Sequence, residues 1–219
     1  MSKPRPSRLT PDPEVETNVA RVHATRELIR EILKDDYLAP KVVSYSIYED
    51  VAEGTPCRIE LRLEHEDRPD AHVITGAGVG FIDALCRGLM EHFAQEFESL
   101  KTIQFTGFSV RAKMDTIRDA TGSDAVAIVA LTVRNSEGVL FEFEKQGRSL
   151  VAAAVGVVTE AIEHFVNSER AFIMVYRALC DARDRGRADL LQTYTSQLSE
   201  LVRTTSYTQV IERIKKEAL

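Results

Sequence analysis

Cys57-Arg58-Ile59-Glu60-Leu61-Arg62-Leu63 alternates apolar with charged side chains, whereas Ala125-Val126-Ala127-Ile128-Val129-Ala130-Leu131-Thr132-Val133 is apolar almost throughout. Alternation is typical of a β-strand with one face on a core and the other in water, and the second pattern predicts a strand that lies deeper. A glycine precedes each stretch, Gly54 the first and Gly122 the second. This matching order predicts an internal repeat.

Further landmarks recur in the same order in the two halves of the chain. Tyr45-Ser46-Ile47 is echoed by Phe108-Ser109-Val110, and the separation of Gly78 from Gly147 nearly equals that of Gly54 from Gly122. In each half, two strands and a polar turn precede a third strand and an amphipathic helix that a glycine marks. Each half is therefore predicted to be a βββα unit.

The segments outside the repeats have different patterns. Four of the seven prolines lie at or before Pro13, which predicts an extended tail. Apolar residues at helical spacing predict one helix before the repeats and, after Asn167, further helices that begin near Arg170. We therefore predict an α+β fold in which two βββα repeats form antiparallel sheets packed with helices. The predicted divisions are a flexible tail (1–13), an N-terminal helix (14–41), the first repeat (42–100), the second repeat (101–167) and a helical C-terminal extension (168–219).

Composition and charge limit the classes of protein that fit. The 219 residues are 44% hydrophobic and 28% charged, which is typical of a folded globular chain. The net charge of −6 disfavours binding to nucleic acid by general phosphate attraction. Residues 42–100 hold four basic and twelve acidic side chains, so the acidity belongs mainly to the first repeat.

Cysteine usage and apolar runs bear on the compartment. The three cysteines, Cys57, Cys86 and Cys180, are widely spaced and odd in number, which suits a reducing compartment. The longest apolar run covers only residues 151–158, which is too short to span a bilayer. We therefore expect a cytoplasmic protein that binds neither membranes nor nucleic acid.

Two stretches resemble a known family. Gly76-Ala77-Gly78-Val79-Gly80-Phe81-Ile82-Asp83-Ala84-Leu85 is followed about forty residues later by Thr121-Gly122-Ser123-Asp124-Ala125-Val126-Ala127. These stretches are similar to the G-x-G-P-V-D-A-L and G-T-D-A patterns in the C-terminal regulatory domain of 2-isopropylmalate synthase and citramalate synthase. The resemblance covers about residues 42–167.

The resemblance implies a dimerising module that binds an effector. In that family, leucine or isoleucine binds where the regulatory domains of two subunits meet and inhibits a separate catalytic barrel. A barrel of roughly 250 residues does not fit beside the repeats, and no two of the five histidines have the His-x-His spacing of the family's metal site. We therefore expect no catalytic activity, no cofactor and no metal site in this chain.

The predicted ligand site combines the starts of both repeat helices. Backbone N–H groups at a glycine-marked helix start can hold a carboxylate. Asp83 or Asp124 would then accept an ammonium group, and Phe81, Ile82 and Val151 would contact an apolar side chain. The full predicted set is Gly76, Gly78, Gly80, Phe81, Ile82, Asp83, Thr121, Ser123, Asp124, Gly147, Ser149 and Val151.

Each part of this site has an alternative interpretation. The glycines are also typical of a tight turn with close packing, and an acid such as Asp83 often only complements the helix dipole. Thr-Gly-Ser-Asp at 121–124 is also ordinary turn chemistry. A dinucleotide fingerprint fits poorly, because G-x-G-x-G is not G-x-G-x-x-G and the strands are predicted to be antiparallel. In the second repeat Gly147-Arg148-Ser149 lacks the acid that is usual in the family.

Two histidines occur in matching contexts, Glu91-His92-Phe93 and Glu163-His164-Phe165, near the predicted ends of the repeat helices. A symmetric metal or pH site is one interpretation, and cations that complement the helix dipole are the favoured one.

The predicted function is a non-catalytic regulatory module, a homodimer that binds a branched-chain amino acid such as leucine or isoleucine, or a related acid. The alternative is a ligand-free interaction or dimerisation subunit, in which the helical ends at 14–36 and 168–219 dock a separate enzyme or another protein.

Overall fold

The fold is α+β, as the sequence predicts, and contains two three-stranded antiparallel sheets. A computed structural model describes residues 13–50, 52–65, 68–113 and 126–217. The strands are β1 (Lys41–Tyr48), β2 (Cys57–His65), β3 (Arg68–Gly78), β4 (Gln104–Lys113), β5 (Val126–Arg134) and β6 (Leu140–Gly147). The helices are α1 (Pro13–Leu33), α2 (Phe81–Phe93), α3 (Leu150–Asp184), α4 (Ala188–Leu201) and α5 (Thr208–Glu217), with short 3-10 turns at Lys34–Asp36 and Glu98–Thr102.

The two repeats match in backbone detail. The sheets have the orders β1-β2-β3 and β4-β5-β6, and α2 and α3 follow directly. The register of β1 on β2 shifts between Val42 and Ser44, and that of β4 on β5 shifts between Phe105 and Gly107. A β-bulge therefore recurs at the same place in each first strand, just before Tyr45 in one and Phe108 in the other. The predicted βββα order is confirmed in both copies.

The helix boundaries differ from the prediction in two places. β3 continues through Gly78, and α2 begins only at Phe81. α3 runs without interruption from Leu150 to Asp184, so the predicted break near Asn167 is wrong. No glycine or proline lies between Val157 and Arg185 to end the helix. The polar side chain of Asn167 instead bonds to Leu38 of the segment before β1.

The main hydrophobic core lies between the sheets and the repeat helices. One face of each sheet contributes buried side chains, such as Leu61 from β2 and Leu131 from β5. α2 adds Leu85 and Leu89, and the first half of α3 adds Val158 together with its neighbours on the same face. Both repeats therefore share a single core.

A second core holds the helices outside the repeats. Ile29 of α1, Phe172 of α3, Leu201 of α4 and Val210 of α5 are all buried there. Glu169 of α3 is also fully buried, and its carboxylate accepts hydrogen bonds from the Ser99 backbone N–H at 2.9 Å and from Arg213 at 3.2 Å. Apolar side chains of α1, α3, α4 and α5 therefore meet in one shared core.

α3 connects the two cores. By length and composition alone it is apolar enough to cross a membrane, and no other helix in the described ranges is. However, 67% of its most apolar 18-residue window is buried inside the protein. α3 is apolar because its first half is buried in the main core and its second half in the second core.

The contact between α2 and β3 predicts a sharp difference between two neighbouring glycines. A Cβ atom at Gly76 would overlap the carbonyl oxygen of Ala84, whereas a Cβ at Gly80 meets nothing within 4 Å. We expect Gly76→Ala to lower the free energy of unfolding by about 3 kcal/mol, because backbone must move to admit the methyl group. Gly80→Ala should cost less than about 1 kcal/mol, the usual loss at a helix N-cap. Equal effects in urea unfolding would contradict this packing.

Candidate functional site

The first two glycines of the predicted site hold α2 against its own sheet. A Cβ at Gly78 would lie 2.5 Å from the Ala84 backbone nitrogen. A Cβ at Gly88 of α2 would in turn lie 2.9 Å from the Gly76 Cα. The two backbones therefore approach closely, and the space beside Gly76 and Gly78 is filled by the helix. Gly88 completes this contact, and the sequence analysis missed it because an isolated glycine in a helix has no local signature.

Asp83 is already engaged by the protein. Its Oδ2 accepts a hydrogen bond from the Val79 backbone N–H at 3.0 Å, and its Oδ1 accepts one from Arg87 at 2.9 Å. The Val79 N–H and Arg87 lower the pKa of this carboxyl from its ordinary value. An anionic side chain therefore occupies the start of α2, where an effector carboxylate was predicted to bind.

The second half of the predicted site does not join the first. Ser149 is the N-cap of α3, and its Oγ accepts a hydrogen bond from the Ala152 backbone N–H. Gly147 ends β6, and Val151 packs against the main core. The cavity that Gly76 lines and the one that Ile82 and Asp83 line include none of these three residues. Phe81 packs against the main core, Gly80 caps α2, and Thr121, Ser123 and Asp124 lie outside the described residues.

The two histidines are not equivalent. When the starts of α2 and α3 are aligned, Phe81 on Leu150, the counterpart of His92 is Ala161. His164 lies in the middle of α3, fully buried among aromatic rings that include Phe141 and Phe143. Burial lowers the pKa of His164 to about 3, so its ring is neutral at physiological pH. The prediction that it is a cation at a helix end is wrong.

Among the described residues, no group of three or more His, Cys, Asp or Glu side chains is placed to hold a metal ion.

Two grooves in the structure are related by the internal repeat. One lies between β1 and α3, and the other lies between β4 and α2, so each joins the first strand of one repeat to the helix of the other. The helix positions that line them correspond in the same alignment of the two helix starts. The corresponding pairs are Asp83 and Ala152, Cys86 and Val155, Arg87 and Gly156, and Met90 and Thr159.

The β1–α3 groove has a volume of about 500 Å³ and combines charged with apolar walls. Its apolar wall consists of Val42, Val43 and Tyr45 from β1 together with Ala152 and Val155 from α3. Its charged wall consists of Arg26 and Arg30 from α1, Lys145 from β6, and Glu160 and Glu163 from α3. The arrangement suits a small acid with an apolar tail, because the cations can bind its carboxylate.

The charged side chains of this groove are held in fixed contacts. Arg26 donates to Glu160 at 2.6 Å, and the ammonium of Lys145 lies 3.7 Å from the other oxygen of the same carboxylate. The Tyr37 hydroxyl donates to Glu163 at 2.7 Å, and the guanidinium of Arg30 lies 5.2 Å from the centre of the Tyr37 ring. Burial, followed by the hydrogen bond to Glu163, raises the pKa of Tyr37 to about 12. Tyr37 therefore remains a neutral donor.

Gly156 gives Lys145 its place in the groove. A Cβ at this position would lie 2.8 Å from the Lys145 Cδ and 3.1 Å from its Cε. The lysine chain therefore lies directly across the backbone of α3 and carries its ammonium toward Glu160. The counterpart of Gly156 in α2 is Arg87, whose side chain donates to Asp83 instead.

No protein-family model and no curated protein matches this sequence. The resemblance to the regulatory domain of 2-isopropylmalate synthase therefore depends on the two quoted stretches and the βββα repeats. The β1–α3 groove adds an observation that is independent of that resemblance. Its cations come from α1 and β6, far apart in sequence, and no short motif marks them.

The β4–α2 groove is more apolar. It is about 610 Å³ in volume and is lined by Ile82, Met90, Phe105 and Phe108. Cys86 also lines it, and burial raises the pKa of this thiol to about 12. A thiol with so high a pKa stays protonated and is a poor nucleophile, so Cys86 contributes to the groove as an apolar side chain.

The engagement of Asp83 predicts a pH-dependent contribution to stability. Its lowered pKa means that its stabilising effect is present above the ordinary value of 3.8 and is lost as the pH falls through the folded-state value. We expect Asp83→Asn to lower Tm by a few degrees at pH 7, and the difference from the original protein to shrink steadily as the pH falls below 3.8. Glu91→Gln, on the exposed side of the same helix, is the control. A Tm difference that stays constant as the pH falls from 7 to well below 3.8 would contradict this role.

Proposed function

We propose that the protein is a regulatory module that binds a small branched apolar acid, a branched-chain amino acid or a related compound, in the β1–α3 groove. The module acts by recognition and carries out no reaction on its ligand. The observation that carries this proposal is the meeting of three cationic side chains with an apolar wall in one groove. The resemblance to an amino-acid-sensing domain supports the same class of ligand.

The location of the groove supports a regulatory role. Its walls come from β1 of the first repeat, α3 and β6 of the second, and α1 outside both. α1 places Arg26 and Arg30 in the groove, while Ile29, on an adjoining face of the helix, is buried in the second core with residues of α3, α4 and α5. A ligand that draws these arginines inward therefore acts directly on the packing of the C-terminal helices. α1 would therefore couple ligand binding in the groove to the packing of the C-terminal helices.

The proposal is tested by thermal denaturation with leucine, isoleucine, valine and their 2-oxo acids as ligands. A ligand present at 100 times its Kd stabilises by about 2.7 kcal/mol, which raises Tm by several degrees. We expect such a rise for at least one of these compounds. Gly156→Leu should abolish the rise, because the new side chain displaces Lys145 and fills the groove.

The matched control is Arg87→Leu, which changes the equivalent helix position in the β4–α2 groove and should leave the ligand response intact. Circular dichroism of both variants verifies that the fold persists. A flat response of the original protein to all the compounds would refute the proposal, as would full retention of the response in Gly156→Leu.

A second candidate function, an interaction or dimerisation subunit, is favoured by the exposed edge of the second sheet. β4 is an edge strand within the described residues, and its Phe108 and Val110 are 36% and 45% exposed. An apolar edge strand is a surface that another chain can extend. Under this second candidate, the edge of β4 rather than the helical ends at 14–36 and 168–219 is the proposed contact with a partner or a second copy of the chain.

Light scattering tests the second candidate. If β4 forms a homodimer, the mass in solution should be twice the 24.5 kDa of one chain, and Phe108→Lys with Val110→Lys should shift it to the monomer. Two buried lysines at such an interface should weaken association at least about 100-fold. Val73→Lys, at a similarly exposed valine of the first sheet, is the control. A monomer at every concentration, or a dimer unaffected by the double variant, would exclude this interface.

A further inference from the structure

The carboxylates of the β1–α3 groove are already committed to donors of the protein. Both oxygens of Glu160 face cations, Arg26 at 2.6 Å and Lys145 at 3.7 Å. Glu163 accepts the Tyr37 hydroxyl at 2.7 Å, and its half-buried position raises its pKa, chiefly by desolvation. Each carboxylate therefore already interacts with a donor or a cation of the protein, and an incoming ammonium group would have to compete with these contacts.

The donors of the same groove are in excess. Arg26, Arg30 and Lys145 bring three positive charges against the two carboxylates. The buried Nε–H of Arg26 has no acceptor among the described residues, so even the paired arginine retains an unused donor. The exposed guanidinium of Arg30 lies over the Tyr37 ring rather than on a carboxylate. The groove therefore has an unbalanced positive charge of one unit.

This imbalance distinguishes between two classes of ligand. An α-amino acid is a zwitterion, and its ammonium group would enter a groove where cations outnumber carboxylates. A 2-oxo acid carries only the negative charge, and its keto oxygen is a further acceptor for the surplus N–H donors. Both classes can carry the same branched apolar tail, so the apolar wall of Val42, Val43 and Val155 does not separate them.

We infer that the ligand of this groove is a monoanionic branched-chain acid of the 2-oxo acid class rather than an amino acid. The inference rests on the proposed function, since it names the ligand class of the same site. Arg30 and Lys145 bind the carboxylate, because both are exposed enough to reach it and neither is fully neutralised. The tail lies along β1 toward Tyr45.

The test compares ligands of one shape and different charge by isothermal titration of the full chain. The probes are 4-methyl-2-oxopentanoate, 4-methylpentanoate, leucine and 3-methylbutylamine. We expect the oxo acid to bind at least tenfold more tightly than leucine, 4-methylpentanoate to fall between them, and the amine not to bind. Arg30→Gln and Lys145→Gln should each weaken the oxo acid at least tenfold, whereas Arg30→Lys should weaken it less, because the charge is kept.

The outcomes separate this inference from the proposed function. Binding of leucine as tight as that of the oxo acid would overturn the ligand class and leave a regulatory amino-acid site in the groove. Binding of the oxo acid that is unchanged in Arg30→Gln and Lys145→Gln would overturn the assignment to these residues. Binding of neither compound would overturn the proposed function as well. Arg87→Gln in the β4–α2 groove is the matched control and should leave all affinities unchanged.

Discussion

A pair of hydrogen bonds at the middle of α3 sets the position of much of the molecule. The buried Asn167 side chain donates to the Leu38 carbonyl at 2.7 Å and accepts from the Leu38 N–H at 2.8 Å. This contact fixes the short segment that joins α1 to β1, so it places the arginines of α1 and the edge of the first sheet on either side of one groove. A buried amide bonded to backbone on both sides is costly to replace, because either lost partner leaves a desolvated polar group. The β1–α3 groove depends on this contact.

The sequence predicts the repeats well for a physical reason. Strand packing is periodic along the chain, so it leaves a local pattern in the sequence. Two such patterns are the alternation of apolar and charged side chains in β2 and the recurrence of Tyr45-Ser46-Ile47 as Phe108-Ser109-Val110. The helix boundary predicted near Asn167 is wrong because asparagine is typical of helix ends, whereas here it lies in the middle of α3. Its partner, Leu38, is 129 residues away, and a contact at that distance leaves no pattern in the chain.

The candidate site is predicted less well than the fold, and the glycines explain part of the difference. Gly76 and Gly78 are compatible with two roles, backbone approach by a ligand or backbone approach by a helix, and both roles require the same missing Cβ. Only the position of Ala84 and Gly88 decides between them. The arginines of α1 present the opposite problem, since Arg26 and Arg30 resemble ordinary exposed residues of an amphipathic helix until tertiary structure brings Glu160 and Tyr37 beside them.

The two grooves show how one backbone supports different chemistry. Both are built from a bulged first strand and the helix of the other repeat, so their shapes arise from the same geometry. Their chemistry diverges at a few helix positions. Gly156 in place of Arg87 admits Lys145, and Thr159 in place of Met90 removes apolar surface, while α1 adds its two arginines to one groove only. These residues all line the grooves, so differences at these positions change the chemistry of each groove within one backbone arrangement. The internal repeat thereby combines a charged groove and a more apolar one in a single fold.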